Sequence, residues 1–180
     1  MTFSPEHLQH ARAEKDRFFK HHPQSPLSPE QQHHFAALNY YDPNPALDFE
    51  VTPTPFERKE NVRMMTSTNE IRSYVKWGTV TISVEGQDAT LTLYAVPGQG
   101  FFLPFMDTTS GTETYGAGRY VEVEQLPNGK LHIDFNEAYN PYCAYSPLWS
   151  CPLVPAENHL EVPIRAGEKI PTGEWVEIAH

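Results

Sequence analysis

Between Val62 and Phe135 the apolar residues fall at every second position within each segment, and no stretch with a helical repeat interrupts them. A period of two sends successive side chains to opposite faces of a strand, so the middle of this chain is confined to β-structure. Val62 and Met64 open a short strand, the polar run Thr66 to Glu70 turns it, and Ile71 to Trp77 returns. Val80, Ile82 and Val84 alternate with threonine and serine; Gly86-Gln87-Asp88 reverses the chain, and Leu91, Leu93 and Ala95 answer on the next strand. A strand over Phe101 to Phe105 follows. Arg119 to Glu124 and Lys130 to Asn136 then flank Pro127-Asn128-Gly129, a hairpin signal because Asn-Gly accepts positive φ at both turn positions. That pairing puts Val121 and Val123 on one face with Leu131, Ile133 and Phe135. Hairpins in succession without helices between them predict a mainly β fold, an antiparallel meander curled into a barrel or packed as a sandwich.

Two helices precede the sheet. Ser4 is placed to cap the first, with Pro5 at its first position and Glu6 against the positive end of the dipole. Leu8, Ala11, Phe18 and Phe19 supply its apolar face, and it stops before Pro23. Ser28-Pro29-Glu30-Gln31 starts the second with a capping-box pattern; Phe35 and Leu38 form its buried side, and Tyr40-Tyr41-Asp42-Pro43 ends it. Residues 1–45 are thus a helical segment that packs on the β domain. The last third, Ala138 to His180, has prolines at 141, 147, 152, 155, 163 and 171. It is expected to wrap the sheet as irregular chain, with one short strand over Leu160 to Arg165. No internal repeat and no flexible linker divides the sequence, so 1–180 reads as a single domain.

A chain of 180 residues buries about 70% of its unfolded surface, enough for a core without metal or disulfide staples. The net charge of −10 argues against nucleic acid and anionic membranes, since both demand basic patches. MTFSPEHLQH contains no apolar targeting core, and the longest apolar run is too short to span a bilayer, which predicts a cytoplasmic protein. No glycine fingerprint of a dinucleotide fold follows a strand, and no nucleophile motif is present, so neither a cofactor nor a metal is expected.

Phe101 to Gly167 concentrates Asn, Asp, Tyr, Pro, Gly and both cysteines, residues that shape a site or hold a long irregular loop. The segments DTTSGTETYGAGRY and DFNEAYNPYCAY…CPLVPAENHL…AGEK, with the opening KDRFFKHHPQSPLSPEQQHHFAALNYY, resemble the bacterial family filed as domain of unknown function 1684. The resemblance covers nearly the whole chain. It locates a signature and implies no particular activity, so chemistry has to come from the residues.

Asp107, Thr108, Thr109 and Ser110 have short side chains that bond nearby backbone, and Gly111, Gly116 and Gly118 permit positive φ. A loop of this kind, with Glu113 and Tyr115 on it, can aim N–H groups at an anionic ligand while Arg119 clamps a carboxylate or phosphate. The bland alternative is a compact Ω-type loop in which Arg119 pairs with Asp107, Glu113 or Asp134. Further on, His132, Asp134 and Asn136 alternate with Leu131, Ile133 and Phe135, which offers a base, an acid and an amide on one strand face. Asn140 precedes Pro141 and is held extended, its amide set to bridge backbone groups. The expected ligand-binding set is therefore Asp107, Ser110, Glu113, Tyr115, Arg119, Asp134, Asn136 and Asn140, gathered beside one concave wall of the sheet.

Cys143 and Cys151 are spaced C-x₇-C, unlike a zinc knuckle or a thioredoxin-type motif. A disulfide would close a nine-residue loop, worth about 2.5 kcal/mol in the chain-entropy model; a reducing compartment would leave two small thiols. A nucleophilic Cys143 with His159 or His132 as base, or a metal on both cysteines and His159, lacks an activating or ligating pattern. Phe101, Phe102, Phe105, Tyr115, Tyr120, Tyr139, Tyr142, Tyr145 and Trp149 are mostly core, with a few at a pocket mouth where their polar atoms find partners. Three functions compete: a module binding a small polar or anionic molecule, a hydrolase using Asp or Glu in the same pocket, and a structural or partner-binding protein. A shifted carboxylate inside a cleft would favour the second, and a broad apolar patch without a cavity the third. Oligomeric state is not encoded in any of these signals.

Overall fold

The capping signals at Ser4 and Ser28 are both used in the computed structural model of the chain, which describes residues 3–178. Helix α1 spans Pro5–His21; the Ser4 hydroxyl accepts from the His7 N–H, and Leu8 and Phe19 are buried. Helix α2 spans Pro29–His34 and opens on a complete capping box between Ser28 and Gln31. It is shorter than predicted. Phe35 ends it, because the Lys20 ammonium takes the Gln32 and Phe35 carbonyls, satisfying the helix terminus early. Phe35 and Leu38 are buried all the same, in a satellite core with Phe19, Leu27, Tyr145 and Trp175.

Eight strands follow: β1 (Asp48–Val51), β2 (Thr54–Met65), β3 (Ile71–Val84), β4 (Gln87–Val96), β5 (Gly100–Phe105), β6 (Arg119–Val121), β7 (Glu124–Gln125) and β8 (Leu131–Asp134). They make two antiparallel sheets, a five-stranded meander in the order β2-β3-β4-β5-β6 and a three-stranded sheet in the order β1-β8-β7. Both sheets keep free ends among the described residues, so the arrangement is sandwich-like and no barrel closes. The inner faces share one core, from Val80, Ile82, Leu91, Leu93, Leu103 and Phe105 on the first sheet to Val121, Leu131, Ile133 and Phe135 at its junction with the second. Val123 packs against it, as the alternation required.

Two predicted strands, Ile71 to Trp77 and Val80 to Val84, are one. β3 runs through with a bulge between Lys76 and Gly78. One extra residue exchanges the two faces: Tyr74 before the bulge packs with Met64 and Tyr94, whereas Val80, Ile82 and Val84 after it enter the main core. Glycine is needed at 78 because a Cβ there would meet the Thr54 carbonyl at 2.4 Å. The Pro127-Asn128-Gly129 hairpin forms, but only Gly129 takes positive φ, at 84°. Gly129 N–H donates to the Leu126 carbonyl and Leu126 N–H to that of Lys130, a three-residue loop in place of the two-residue turn.

β8 stops at Asp134 because that carboxylate accepts from the Asn136 N–H and starts a 3-10 turn over Phe135–Glu137. The proline-rich wrap is irregular, and its short helix α3 (Glu174–Glu177) buries Trp175. Leu160 to Arg165 does not form a strand. Its alternation is real, since Leu160, Val162, Ile164 and Ala166 all enter the main core. Backbone bonds hold its first half, Leu160 N–H to the Met106 carbonyl at 2.7 Å and Thr108 N–H to the Val162 carbonyl at 3.3 Å, and side chains take over beyond: Ile164 N–H donates to Asp107 Oδ2 at 2.6 Å, and Arg119 donates to the Ile164 and Ala166 carbonyls. Among the described residues, no helix is long and apolar enough to cross a membrane.

Candidate functional site

Strand alternation on β6 turns Arg119 and Val121 inward and Tyr120 outward. Arg119 is only 1% exposed. Its Nη1 donates to the Ala166 and Glu168 carbonyls at 2.5 and 3.1 Å, and its Nη2 to Ile164 at 2.7 Å. Nη2 also lies 3.7 Å from Asp107 Oδ1, and the Phe105 ring sits under the guanidinium at 5.0 Å. Burial pulls the Arg119 pKa down, and Asp107 opposes that pull. Asp107 in turn accepts from the Thr109 and Ser110 hydroxyls and from Ile164 N–H. These polar atoms face protein on every side.

The remaining expected residues divide. Ser110 Oγ accepts from Asp107 N–H and closes the loop. Glu113 is partly exposed and receives Arg165 at 3.2 Å and the Tyr41 hydroxyl at 2.9 Å; Arg165, then Tyr41, holds its carboxyl below the usual range. Asn136 is buried with its amide bonded to both backbone groups of Asn44, which ties the N-terminal segment to the sheet. Tyr115 places its hydroxyl 3.7 Å from Cys143 Sγ. Asp134 lies at a separate hollow described below. Asn140 alone lines an aromatic cleft.

That cleft, about 650 Å³, opens on the outer face of the five-stranded sheet. Tyr74, Phe102 and Tyr120 come from β3, β5 and β6, while Tyr139, Tyr142 and Trp149 come from the wrap. The rings touch in series: Tyr74 stacks on Phe102 at 5.2 Å, Phe102 meets Tyr120 edge-on at 4.9 Å, and Tyr120 meets Tyr139 at 5.9 Å. Opposite, Tyr142 meets Trp149 at 5.1 Å. Lys15 of α1 and Arg72 of β3 add two cations. Lys15 Nζ donates to Glu168 at 2.7 Å and lies 5.1 Å from the Tyr139 ring; Arg72 donates to the Ser150 carbonyl. Asn140 Nδ2 donates to the Lys169 carbonyl and the Tyr145 hydroxyl, whereas its Oδ1 is buried without a partner among the described residues. Ring faces and two cations suit a flat molecule with an anionic end.

A second hollow, about 430 Å³, lies between the start of α1 and the three-stranded sheet, lined by His7, Asp48, Glu124, His132, Asp134 and Glu137 among others. His132 meets Asp48 Oδ1 through Nε2 at 2.5 Å and Glu124 Oε2 through Nδ1 at 3.1 Å. Burial works against the imidazolium, but the hydrogen bonds to Glu124 and Asp48 outweigh it and raise the His132 pKa. Burial raises Asp134 and Glu137 as well. A raised histidine stabilises the fold fully below its unfolded value of about 6.5, and that contribution disappears as pH rises through the folded pKa. His132→Gln should therefore lower Tm more at pH 6 than at pH 9. Melts across that range check it, and an equal deficit at both ends would refute the assignment.

The family model described as "Protein of unknown function (DUF1684)" matches residues 33–169. The chain belongs to this family. The DUF1684 match takes in the Arg119 network and the wrap that walls the cleft, and stops short of α1 with its Lys15. An uncharacterized protein of Haloarcula marismortui, solved by NMR in solution, is 40% identical, with 91% of this chain and 92% of that one covered and a TM-score of 0.68. Haloarcula is a halophilic archaeon, so the likeness reaches beyond bacteria. Among curated proteins none matches.

For this DUF1684 chain, sequence reasoning identified most of the rings but not the site they build. Phe102, Tyr120, Tyr139, Tyr142 and Trp149 were aromatic candidates for a pocket mouth; Tyr74, Lys15 and Arg72 were not singled out. Glu168, 1% exposed at the meeting point of Lys15, Tyr145 and Asn140, had one signal: a lone acid in the Ala166-Gly167-Glu168-Lys169 motif of the wrap.

Proposed function

We propose that this protein binds a small molecule in the aromatic cleft, a compound with a flat apolar body and an anionic group. The observation that carries this reading is the continuous ring wall Tyr74–Phe102–Tyr120–Tyr139 facing Tyr142 and Trp149, with Lys15 and Arg72 on the same lining. The volume of about 650 Å³ is that of ordinary small-molecule sites. Rings supply contact area at low entropic cost, and Arg72 has further N–H groups for a carboxylate, sulfonate or phosphate beyond the one given to Ser150. Asp107, Ser110, Glu113, Tyr115, Arg119, Asp134 and Asn136 serve this site by holding its scaffold. Titration with a panel of aromatic carboxylates and sulfonates, read by tryptophan fluorescence and calorimetry, tests the reading. At least one is expected to saturate one site per chain, and Arg72→Ala to weaken it about tenfold, ~1.4 kcal/mol, with Tm unchanged. Absence of saturable binding across the panel would reject it.

A second reading, acid–base chemistry, is favoured by one observation. Asp134 and Glu137, both raised by burial, share a hollow with an imidazole between two carboxylates. Carboxyl groups pushed toward neutrality beside a charged partner are the raw material of a general acid and base.

A further inference from the structure

We infer that Cys143 and Cys151 form a peroxide-reactive dithiol that closes reversibly into a disulfide. They are the only cysteines in the chain, and the fold brings them together. Cys143 sits in the 3-10 turn Tyr142–Ala144, and its backbone N–H donates to Cys151 Sγ at 3.3 Å. Backbone contacts fix the second cysteine independently: Ser67 N–H donates to the Cys151 carbonyl at 2.9 Å, and Cys151 N–H donates to Ser67 Oγ at 3.1 Å. The Cys151 backbone is therefore pinned beside the end of β2, with its sulfur against the Cys143 N–H.

The pair is asymmetric in the way a dithiol switch requires. Cys143 is partly exposed, whereas Cys151 is buried at the wall of the aromatic cleft. Cys143 receives the Cys151 thiol, the Tyr115 hydroxyl at 3.7 Å and Ser67, and the Cys151 hydrogen bond leads in lowering it to about 6. The lowered pKa favours the thiolate at the accessible sulfur, the form that attacks peroxides, and the second cysteine lies against the Cys143 backbone. The Cys143 thiolate attacks one oxygen of a hydroperoxide; an S–O bond forms as O–O breaks, and the departing alkoxide or hydroxide takes up the proton that Cys143 released. The product is a Cys143 sulfenic acid and one alcohol or water. Cys151 sulfur then attacks the Cys143 sulfur; S–S forms, S–O breaks, and hydroxide leaves with the Cys151 proton as water. Two electrons pass from the two thiols to the peroxide, and an external dithiol restores both.

None of this depends on the ligand proposed for the cleft. The test uses the full chain, reduced and freed of reductant, then exposed to hydrogen peroxide. Intact mass should fall by two hydrogens as both thiols disappear together, and dithiothreitol should reverse the change. Cys151→Ser should stop at a Cys143 sulfenic acid that dimedone traps. Alkylation of wild-type Cys143 by iodoacetamide should show a pH midpoint near 6, against about 8.5 for an ordinary thiol. Stepwise oxygen addition without loss of two hydrogens, or a midpoint above 8, would overturn the assignment. Both wild-type readouts decide the matter even if Cys151→Ser fails to fold.

Discussion

Replacing Arg119 with alanine is expected to remove about 3–5 kcal/mol of stability, the range for breaking a buried ion pair by deleting one partner. For a chain of this size that corresponds to a fall in Tm of roughly 10 °C. Three consequences add up. Asp107, whose nearest cation is the Arg119 guanidinium at 3.7 Å, stays buried with an uncompensated charge. The Ile164, Ala166 and Glu168 carbonyls lose their guanidinium donor. The Phe105 ring loses the planar cation above it. Arg119→Lys should recover little, because an ammonium cannot span three carbonyls with one planar fork. Asp107→Ala combined with Arg119→Ala should cost less than the two single losses together, since the stranded charge is removed as well. Urea and thermal unfolding give these numbers, and a loss below about 1 kcal/mol would show that the network adds little. A ligand clamp would behave in the opposite way, losing binding while keeping Tm.

That network also marks where the sequence stops being readable. Helix starts at Ser4 and Ser28 are local events, settled by a hydroxyl and the N–H three residues on, so the pattern gives them away. The meander from β2 to β5 is nearly as open, because alternation and turn residues lie within a few positions of each other. Leu160 to Ala166 shows the limit. Its alternation records burial correctly, but what bonds its backbone is the Met106 and Thr108 backbone at one end and the Asp107 and Arg119 side chains at the other, all more than 40 residues away in sequence. No local signal separates a strand from an extended segment held by side chains. The bulge at Lys76–Gly78 hid Tyr74 for a related reason: one unpaired residue reverses the faces, so Tyr74 and Val80, both at even positions, point to opposite sides and the ring belongs to the cleft. Asp107, Arg119 and Asn136 were correctly seen as unusual. Buried polar residues that hold a fold and polar residues that hold a ligand have the same composition, and only their partners tell them apart.

Glu168 is where the two roles meet, and its replacement carries the second large effect. The carboxylate is 1% exposed and accepts from Lys15 at 2.7 Å, from the Tyr145 hydroxyl at 2.5 Å and from Asn140 N–H at 3.2 Å. Its own carbonyl takes Arg119, and its N–H donates to Ala138. One residue therefore joins α1, the satellite core, the cleft wall and the Arg119 network. Glu168→Ala should cost about 3–5 kcal/mol, because it strands the Tyr145 hydroxyl and an Asn140 N–H in the interior and unpins Lys15. Glu168→Gln keeps the shape; its one amide oxygen at the Oε2 position still accepts from Asn140 N–H, its amide N–H₂ can donate to a Tyr145 hydroxyl turned to accept, and Lys15 is exposed enough to turn to water. Its cost should stay near 1.5–3 kcal/mol, the worth of a hydrogen bond to a charged group. Urea unfolding at pH 7 distinguishes the two. Equal losses would mean that the charge itself, and not the set of acceptor contacts, holds the junction. A larger loss for Ala than for Gln would place the stabilisation in the buried Tyr145 and Asn140 contacts, leaving the Lys15 ammonium available to the anion that the cleft is proposed to take.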